Sequence, residues 1–192
     1  MDDKKALFDE ITKDIINCTK CALHETRIKP VPGEGSLNAD IMFVGEGPGR
    51  NEDRTGRPFV GAAGKFLDEL LSGIGLSRKE VFIGNVVKCR PPNNRVPLLS
   101  EIEACKPYLF AQIAIIQPKV ICTLGNTPLN TLIAPNLSIG RVHGQVFEKD
   151  GFTFIPLYHP AAALYHNALK DTLKEDFRKL KAFLDELKMK NL

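Results

Sequence analysis

Four continuous apolar, β-branched runs punctuate the chain: ADIMFVGE, EVFIGNVVK, PKVICTLG and FTFIPLYHP, each about the length of a buried strand. Helical patterns fill the intervals. GKFLDELLSGIG carries apolar residues at helical spacing and stops at glycine, while LLSEIEACKPYLFAQIAIIQP opens with Ser100 as an N-cap, places Glu103 at the capping-box offset and closes before Pro118. A first helix is expected over KKALFDEITKDIINC, and a long amphipathic one from about Asn167 to Lys190. Leu137 to Gly151 reads as a hairpin or loop insertion. Buried strands alternating with helices predict a parallel sheet covered on both faces, and such sheets bind ligands beyond the carboxyl ends of their strands. Each apolar run here ends in a polar, turn-forming signature: Gly45 to Gly49, Asn85 to Arg90, Gly125-Asn126 and His159-Pro160.

Composition narrows the picture without choosing a function. With 192 residues and 43% hydrophobic content, the chain can bury a sizeable core and is expected to form one domain over residues 1–192. A net charge of +3 permits a polyanionic partner without demanding one. No apolar run approaches the roughly 18 to 20 residues of a membrane span, and the charged N-terminus MDDKKALFDE is unlike a secretory signal. An intracellular, cytoplasmic protein with no membrane partner is expected.

Five cysteines, an odd number, argue against a disulfide scaffold. Cys18 and Cys21 form a C-x-x-C pair at the end of the first helix, and Cys89 and Cys105 follow far along the chain. Four such thiols suit a tetrahedral zinc site or an iron-sulfur cluster; a redox dithiol is disfavoured because the pair is not at a strand-to-helix turn. Cys122, inside VICTLG, reads as a small buried hydrophobe.

The loop VGEGPGRNED places Gly45, Gly47 and Gly49 at a strand end, where glycine lets a ligand come close to the backbone. It does not match G-x-G-x-x-G, because the third glycine falls two residues after the second. GAAGKF fails the phosphate-loop template, with Phe59 at the position of the first glycine and Phe66 in place of the Ser or Thr. A nucleotide-dependent transferase or hydrolase is thereby disfavoured. What remains at the strand ends is Glu46, Glu52, Asp53, Phe59, Asn85 and His159. Asn offers a donor and an acceptor side by side, which can read the edge of a pyrimidine; Phe offers a stacking face; His can stabilise developing negative charge on a leaving group.

These residues resemble the family 4 uracil-DNA glycosylases, the iron-sulfur branch of that superfamily. The likeness runs over nearly the whole chain, through CTKCALHETR, GEGPGRNEDRTGRPFVGAAGKFLDELL, NVVKCRPPNNRVP, EIEACKPYL and YHPAAALY. The resemblance implies a three-layer α/β/α sandwich with a central four-stranded parallel sheet. It further implies that Cys18, Cys21, Cys89 and Cys105 hold a [4Fe-4S] cluster. The implied activity is excision of uracil from single- or double-stranded DNA by hydrolysis of the N-glycosidic bond, without a covalent enzyme intermediate. In that chemistry the deoxyuridine is flipped out of the stack, Phe59 stacks on the ring, Asn85 reads N3–H and O4, and His159 donates to O2.

Better-known relatives carry Gln-Asp-Pro-Tyr where this chain has Glu46-Gly47-Pro48-Gly49, so the water-handling aspartate and the thymine-blocking tyrosine are both missing. Glu46 or Asp53 is expected to position water or the sugar cation, Gly47 to line the substrate site, and Glu52 to fill the space of the tyrosine. A covalently captured branch has a histidine in a basic loop after the third cysteine; this chain has RPPNNRVPLL, so no covalent capture is expected. On the DNA, Leu164 or Tyr165 would wedge into the vacated stack. Phosphates would meet backbone amides from Gly61 to Gly64 and the side chains of Lys88, Arg90 and Arg95. A monomer is expected, and the sequence carries no readable signal for a sliding-clamp contact. The competing reading from another class is a cluster-bearing nucleic-acid-binding or redox protein with the same fold and no glycosylase activity.

Overall fold

The structure, a computed structural model, describes residues 2–191. Its elements run α1 (Asp2–Ile16), β1 (Glu34–Gly35), β2 (Ile41–Gly45), α2 (Arg50–Thr55), α3 (Ala62–Gly73), β3 (Phe82–Asn85), α4 (Leu99–Ile116), β4 (Val120–Leu124), α5 (Asn126–Leu132), α6 (Ile139–Val142), β5 (Phe147–Lys149), β6 (Phe152–Leu157), α7 (Pro160–Ala163) and α8 (Asn167–Lys190). The sheet order is β1-β3-β2-β4-β6-β5. Its centre is the expected set of four parallel strands, but the sheet has six, because β1 pairs antiparallel with β3 and β5 antiparallel with β6. The two additions are only 2 and 3 residues long, too short for a periodic signal in the sequence.

Alternation along the strands sorts the core into two layers. Met42 and Val44 of β2 face α1, α4 and α5, while Ile41 and Phe43 face α3, α7 and α8. On the second face the rings of Phe43 and Phe177 stack with centroids 5.7 Å apart. Cys122 is fully buried there, as its apolar neighbours in sequence suggested.

Leu137 to Gly151, expected as a hairpin or loop insertion, holds the short helix α6 and then β5, which pairs with β6 across a turn at Asp150 (φ 53°) and Gly151 (φ 82°), the left-handed dipeptide that tight hairpins favour. The cap of α4 lies two residues earlier than expected. Leu98 precedes it, and Glu101, not Glu103, receives the Leu98 N–H at 2.8 Å. Ser100 therefore lies inside the helix. No described helix is long and apolar enough to cross a membrane.

The parallel register puts the chemistry at one edge. Gly45 pairs with Asn85 and Leu124 with Leu157, so the loops after β2, β3, β4 and β6 all open on the same side. The chain moves outward in one direction from β2 to β3 and in the other from β4 to β6, which makes the gap between β2 and β4 the switch point where open α/β sheets bind ligands.

Candidate active site

A cleft of about 900 Å³ opens above that switch point, lined by Glu46, Gly47, Gly49, Glu52, Phe59, Gly61, Asn85, Thr127, Tyr158 and His159 among others. Asn85 is 2% exposed, and its Oδ1 has no hydrogen-bond partner. A buried amide oxygen left unpaired costs about 1 to 3 kcal/mol, a penalty that a donor entering the cleft would lift. A Cβ at Gly45 would lie 2.5 Å from that oxygen and 2.8 Å from Phe59 Cζ, so only glycine at this strand end allows the amide and the ring to sit together.

Phe59 takes a left-handed backbone (φ 50°), a conformation that costs a non-glycine residue about 1 to 3 kcal/mol. Its ring stacks on His159, with centroids 5.4 Å apart and planes 24° from parallel. His159 caps α7 with Nδ1 accepting the Ala161 N–H at 3.0 Å. Burial pushes its pKa down to about 4, against the opposing pull of Glu52. The imidazole is therefore neutral near about pH 7, and because Nδ1 is an acceptor, its proton resides on Nε2. The result is a neutral N–H donor in the wall of the cleft.

The acidic residues separate into different roles. Glu46 faces the cleft and accepts a hydrogen bond from the Thr127 hydroxyl at 2.6 Å, across the switch point. Glu52 also lines the cleft, but its carboxylate is engaged by backbone: Oε1 accepts from Gly49 N–H (3.0 Å), and Oε2 accepts from Val60 (3.0 Å) and Gly61 (3.1 Å). It joins the glycine loop to the loop before α3. Asp53 does not line the cleft. It is 2% exposed and accepts from the amides of Ile28 and Lys29, so it anchors an upstream loop and has no path to a water in the cleft.

The expected DNA contacts divide similarly. Lys88 is 1% exposed and donates to the Asn85 carbonyl and to Gln112 Oε1, both at 2.8 Å. Burial pushes its pKa down to about 8, opposed by charge on Cys105, and it cannot reach a phosphate from there. Arg95 borders the cleft but is held by both oxygens of Glu101, at 2.7 and 2.9 Å. Arg90 donates to Asn94 at 2.7 Å and lies outside the cleft lining. The Gly61 amide is taken by Glu52, and Gly64 is a packing necessity: a Cβ there would lie 1.8 Å from the Phe59 carbonyl oxygen. Tyr165 is 97% exposed beyond α7, whereas Leu164 packs against the core.

Cys18, Cys21, Cys89 and Cys105 line a second, far smaller cavity of about 10 Å³. Three sulfurs receive N–H groups: Cys18 from the Lys20 amide (3.5 Å), Cys105 from the Lys88 amide (3.3 Å) and Cys89 from the Arg27 guanidinium (3.3 Å). Burial pushes the Cys105 thiol up to about 11 and raises that of Cys89, in each case reinforced by the neighbouring thiols. Among the described residues no group of three His, Cys, Asp or Glu side chains is arranged to hold a metal ion; the four thiols line one small cavity instead. Four thiols on one cavity are the donor chemistry of a thiolate-bound metal group, whose positive ions would draw them into their anionic form.

Sequence reasoning missed Thr127 and Tyr158 in the cleft and the buried Lys88–Gln112 pair beneath it. Thr127 had a faint signal in the strand-end pair Gly125-Asn126 just before it; Gln112 lies mid-helix with none.

An unpaired amide, an aromatic face and a neutral histidine meet over the switch point of an α/β sheet, a set of groups with the chemistry to take a planar, hydrogen-bonding ring. The family model for the uracil DNA glycosylase superfamily matches residues 32–188, and the chain belongs to that superfamily. Within it the chain is similar to type-4 uracil-DNA glycosylases. It is 51% identical over 184 residues to that of Sulfurisphaera tokodaii, covering 91% of this chain and 83% of the relative. The identity is 49% over 193 residues with that of Saccharolobus solfataricus (96% and 88%) and 47% over 181 residues with that of Archaeoglobus fulgidus (90% and 91%).

Proposed function

We propose that this protein excises uracil from DNA by hydrolysing the N-glycosidic bond of a flipped-out deoxyuridine, leaving an abasic site. The observation that carries the reading is the unpaired Asn85 Oδ1 in the cleft wall. Uracil supplies the missing donor at N3 and offers O4 to the Asn85 amide N–H₂. Cytosine presents an acceptor at N3 and a donor at N4, so it would face like against like, a mismatch that buried polar sites penalise heavily. Phe59 stacks on the ring.

As C1′–N1 breaks, the electron pair leaves with the base and the sugar becomes cation-like. The neutral His159 donates Nε2–H toward O2 of the departing anion, an interaction worth about 3 kcal/mol in such sites. Glu46, oriented by Thr127, holds the water that forms the new C1′–O bond. Water's proton is released and the uracil anion takes one up. Tyr165, fully exposed beyond the histidine, fills the vacated stack.

The four thiols would hold a [4Fe-4S] cluster, consistent with the resemblance in the cysteine motifs and with a donor set spread around one cavity. Bound there, the cluster supplies a covalent cross-link among the loop after α1, the segment after β3 and helix α4. The protein acts as a monomer within the cell on uracil-containing DNA.

The test is alkaline strand scission of a labelled duplex carrying one uracil opposite guanine, comparing wild type with Asn85→Ala and His159→Ala. Scission by wild type that both substitutions nearly abolish is the expected outcome. Binding of the duplex without scission by cluster-loaded wild type would replace this reading with that of a non-catalytic nucleic-acid-binding protein.

A further inference from the structure

Arg78 lies in the turn between α3 and β3, outside the cleft lining, yet its guanidinium reaches the two carbonyls that bracket the strained residue of the site. Nη2 donates to the Pro58 carbonyl at 2.6 Å and Nη1 to the Phe59 carbonyl at 2.9 Å. The same nitrogens are held from behind by Glu34 (3.0 Å) and Asp68 (3.1 Å), and Glu34 is itself gripped by both arms of Arg57. The Arg78 side chain is 19% exposed, and both Nη groups are committed within the protein, so it is not a free phosphate contact.

Phe59 is the one non-glycine residue with positive φ whose ring enters the cleft, and its Cζ approaches the strand end beside the unpaired Asn85 oxygen. A backbone returning to an ordinary φ would swing that ring away from both Asn85 and His159. Two carbonyls fixed by one planar cation oppose that return, because a guanidinium fork sets directions as well as distances.

We propose that Arg78 is a positioning residue: by holding the Pro58 and Phe59 carbonyls it locks Phe59 in its left-handed conformation and so sets the plane on which the base stacks. The proposal rests on the reading that Phe59 is the stacking face for uracil. Lysine at this position would keep the charge for Glu34 and Asp68 but could not span both carbonyls.

The test measures the dissociation constant for free uracil by calorimetry, together with single-turnover excision as a function of DNA concentration. Arg78→Lys is made in the wild-type and Phe59→Ala backgrounds, with Arg57→Ala as a control that touches neither carbonyl. Arg78→Lys is expected to weaken uracil binding about tenfold and lower the saturating excision rate, with affinity for uracil-free duplex unchanged. Arg57→Ala should stay within about twofold of wild type, and Arg78→Lys should cost less than about twofold once Phe59 is alanine. Wild-type uracil affinity in Arg78→Lys, or an equal loss in both backgrounds, overturns the proposal; the latter is the mark of a merely structural ion pair. Should Arg78→Lys not fold, Glu34→Gln decides, with an expected loss of about threefold that vanishes in Phe59→Ala; wild-type binding there overturns the proposal too. Failure of the wild type to release uracil would sink the glycosylase reading itself, an outcome separate from any of these.

Discussion

In the strand-end cleft, a polar atom waits for a partner: Asn85 Oδ1 is buried with nothing to accept from, and the neutral His159 presents an N–H in the same space. In the thiol cavity the excess runs the other way. Four ionisable sulfurs face one another, and burial together with their mutual charge holds Cys89 and Cys105 in the protonated form. One region sets an unpaired acceptor beside a neutral donor, the other gathers four thiols on one small cavity. They share the segment that begins at Asn85 and reaches Cys89, with Lys88 joined to both: its amide donates to Cys105 and its ammonium to the Asn85 carbonyl. Sites for turnover and sites for stability are therefore expected to answer differently to substitution.

The largest expected effect is on the cleft. Asn85→Ala should lower the uracil excision rate about a thousandfold. The melting temperature should be unchanged or raised, since removing an unpaired buried oxygen relieves a penalty of about 1 to 3 kcal/mol. A variant that loses stability in proportion to activity would break the contrast. Cys89→Ser should do the opposite where the proposed [4Fe-4S] cluster is present, costing about 3 kcal/mol or more in a denaturant titration while leaving the residual folded fraction able to bind free uracil.

Acid sharpens the comparison through His159. Its folded-state pKa of about 4 lies below the ordinary 6.5, so over that interval the unfolded chain binds a proton that the folded protein does not. Stability from this group is complete above about pH 6.5 and is lost on acidification toward pH 4, by on the order of 3 kcal/mol. In His159→Gln the slope of unfolding free energy across that window should shrink, as read by urea midpoints at successive pH values.

Glu52→Ala removes the carboxylate that ties three amides together and should cost about 2 kcal/mol by the same titration. Were Glu52 also the thymine barrier, the variant would release some thymine from a thymine-guanine mismatch; continued rejection would leave it a loop tie alone. The smallest effect on duplex affinity is expected at Lys88. Lys88→Met should leave the salt dependence of duplex affinity unchanged, whereas loss of a true phosphate contact would reduce the log–log slope by about 0.9.

The four central strands, the first and last helices and the edge on which the loops gather were all legible, because continuous apolar runs and helical periodicity are local signals. Asn85, Glu46 and His159 were legible as cleft residues for the same reason, since each follows or ends a strand whose direction was readable, whereas Phe59, in the loop between α2 and α3, was singled out only as an aromatic among glycines. Side-chain commitments were not. Asp53 follows Glu52 directly, yet its neighbour lines the cleft while Asp53 turns back to the amides of Ile28 and Lys29, a pairing across 25 residues that no periodicity encodes. Lys88 lies between the cleft residue Asn85 and Cys89, where a lysine normally suggests solvent; its partner Gln112 is 24 positions away on α4. The cap of α4 was misplaced because Ser100 and Glu103 match a capping box in sequence while Leu98 offers no side-chain acceptor, and the pairing of Arg95 and the Leu98 amide with Glu101 shows only in the fold.

The two short strands that extend the sheet matter once the molecule is crowded or heated. A row of unpaired backbone groups on a long parallel edge strand is a template for adding another chain. Here one outer edge is only Glu34-Gly35, with the carboxylate of Glu34 bound by two arginines; the other is Phe147-Glu148-Lys149, charged at two of its three positions. Neither offers a neighbouring copy the length or the neutrality that sheet-to-sheet growth requires, so the apolar parallel centre stays sealed from intermolecular pairing while the molecule remains folded.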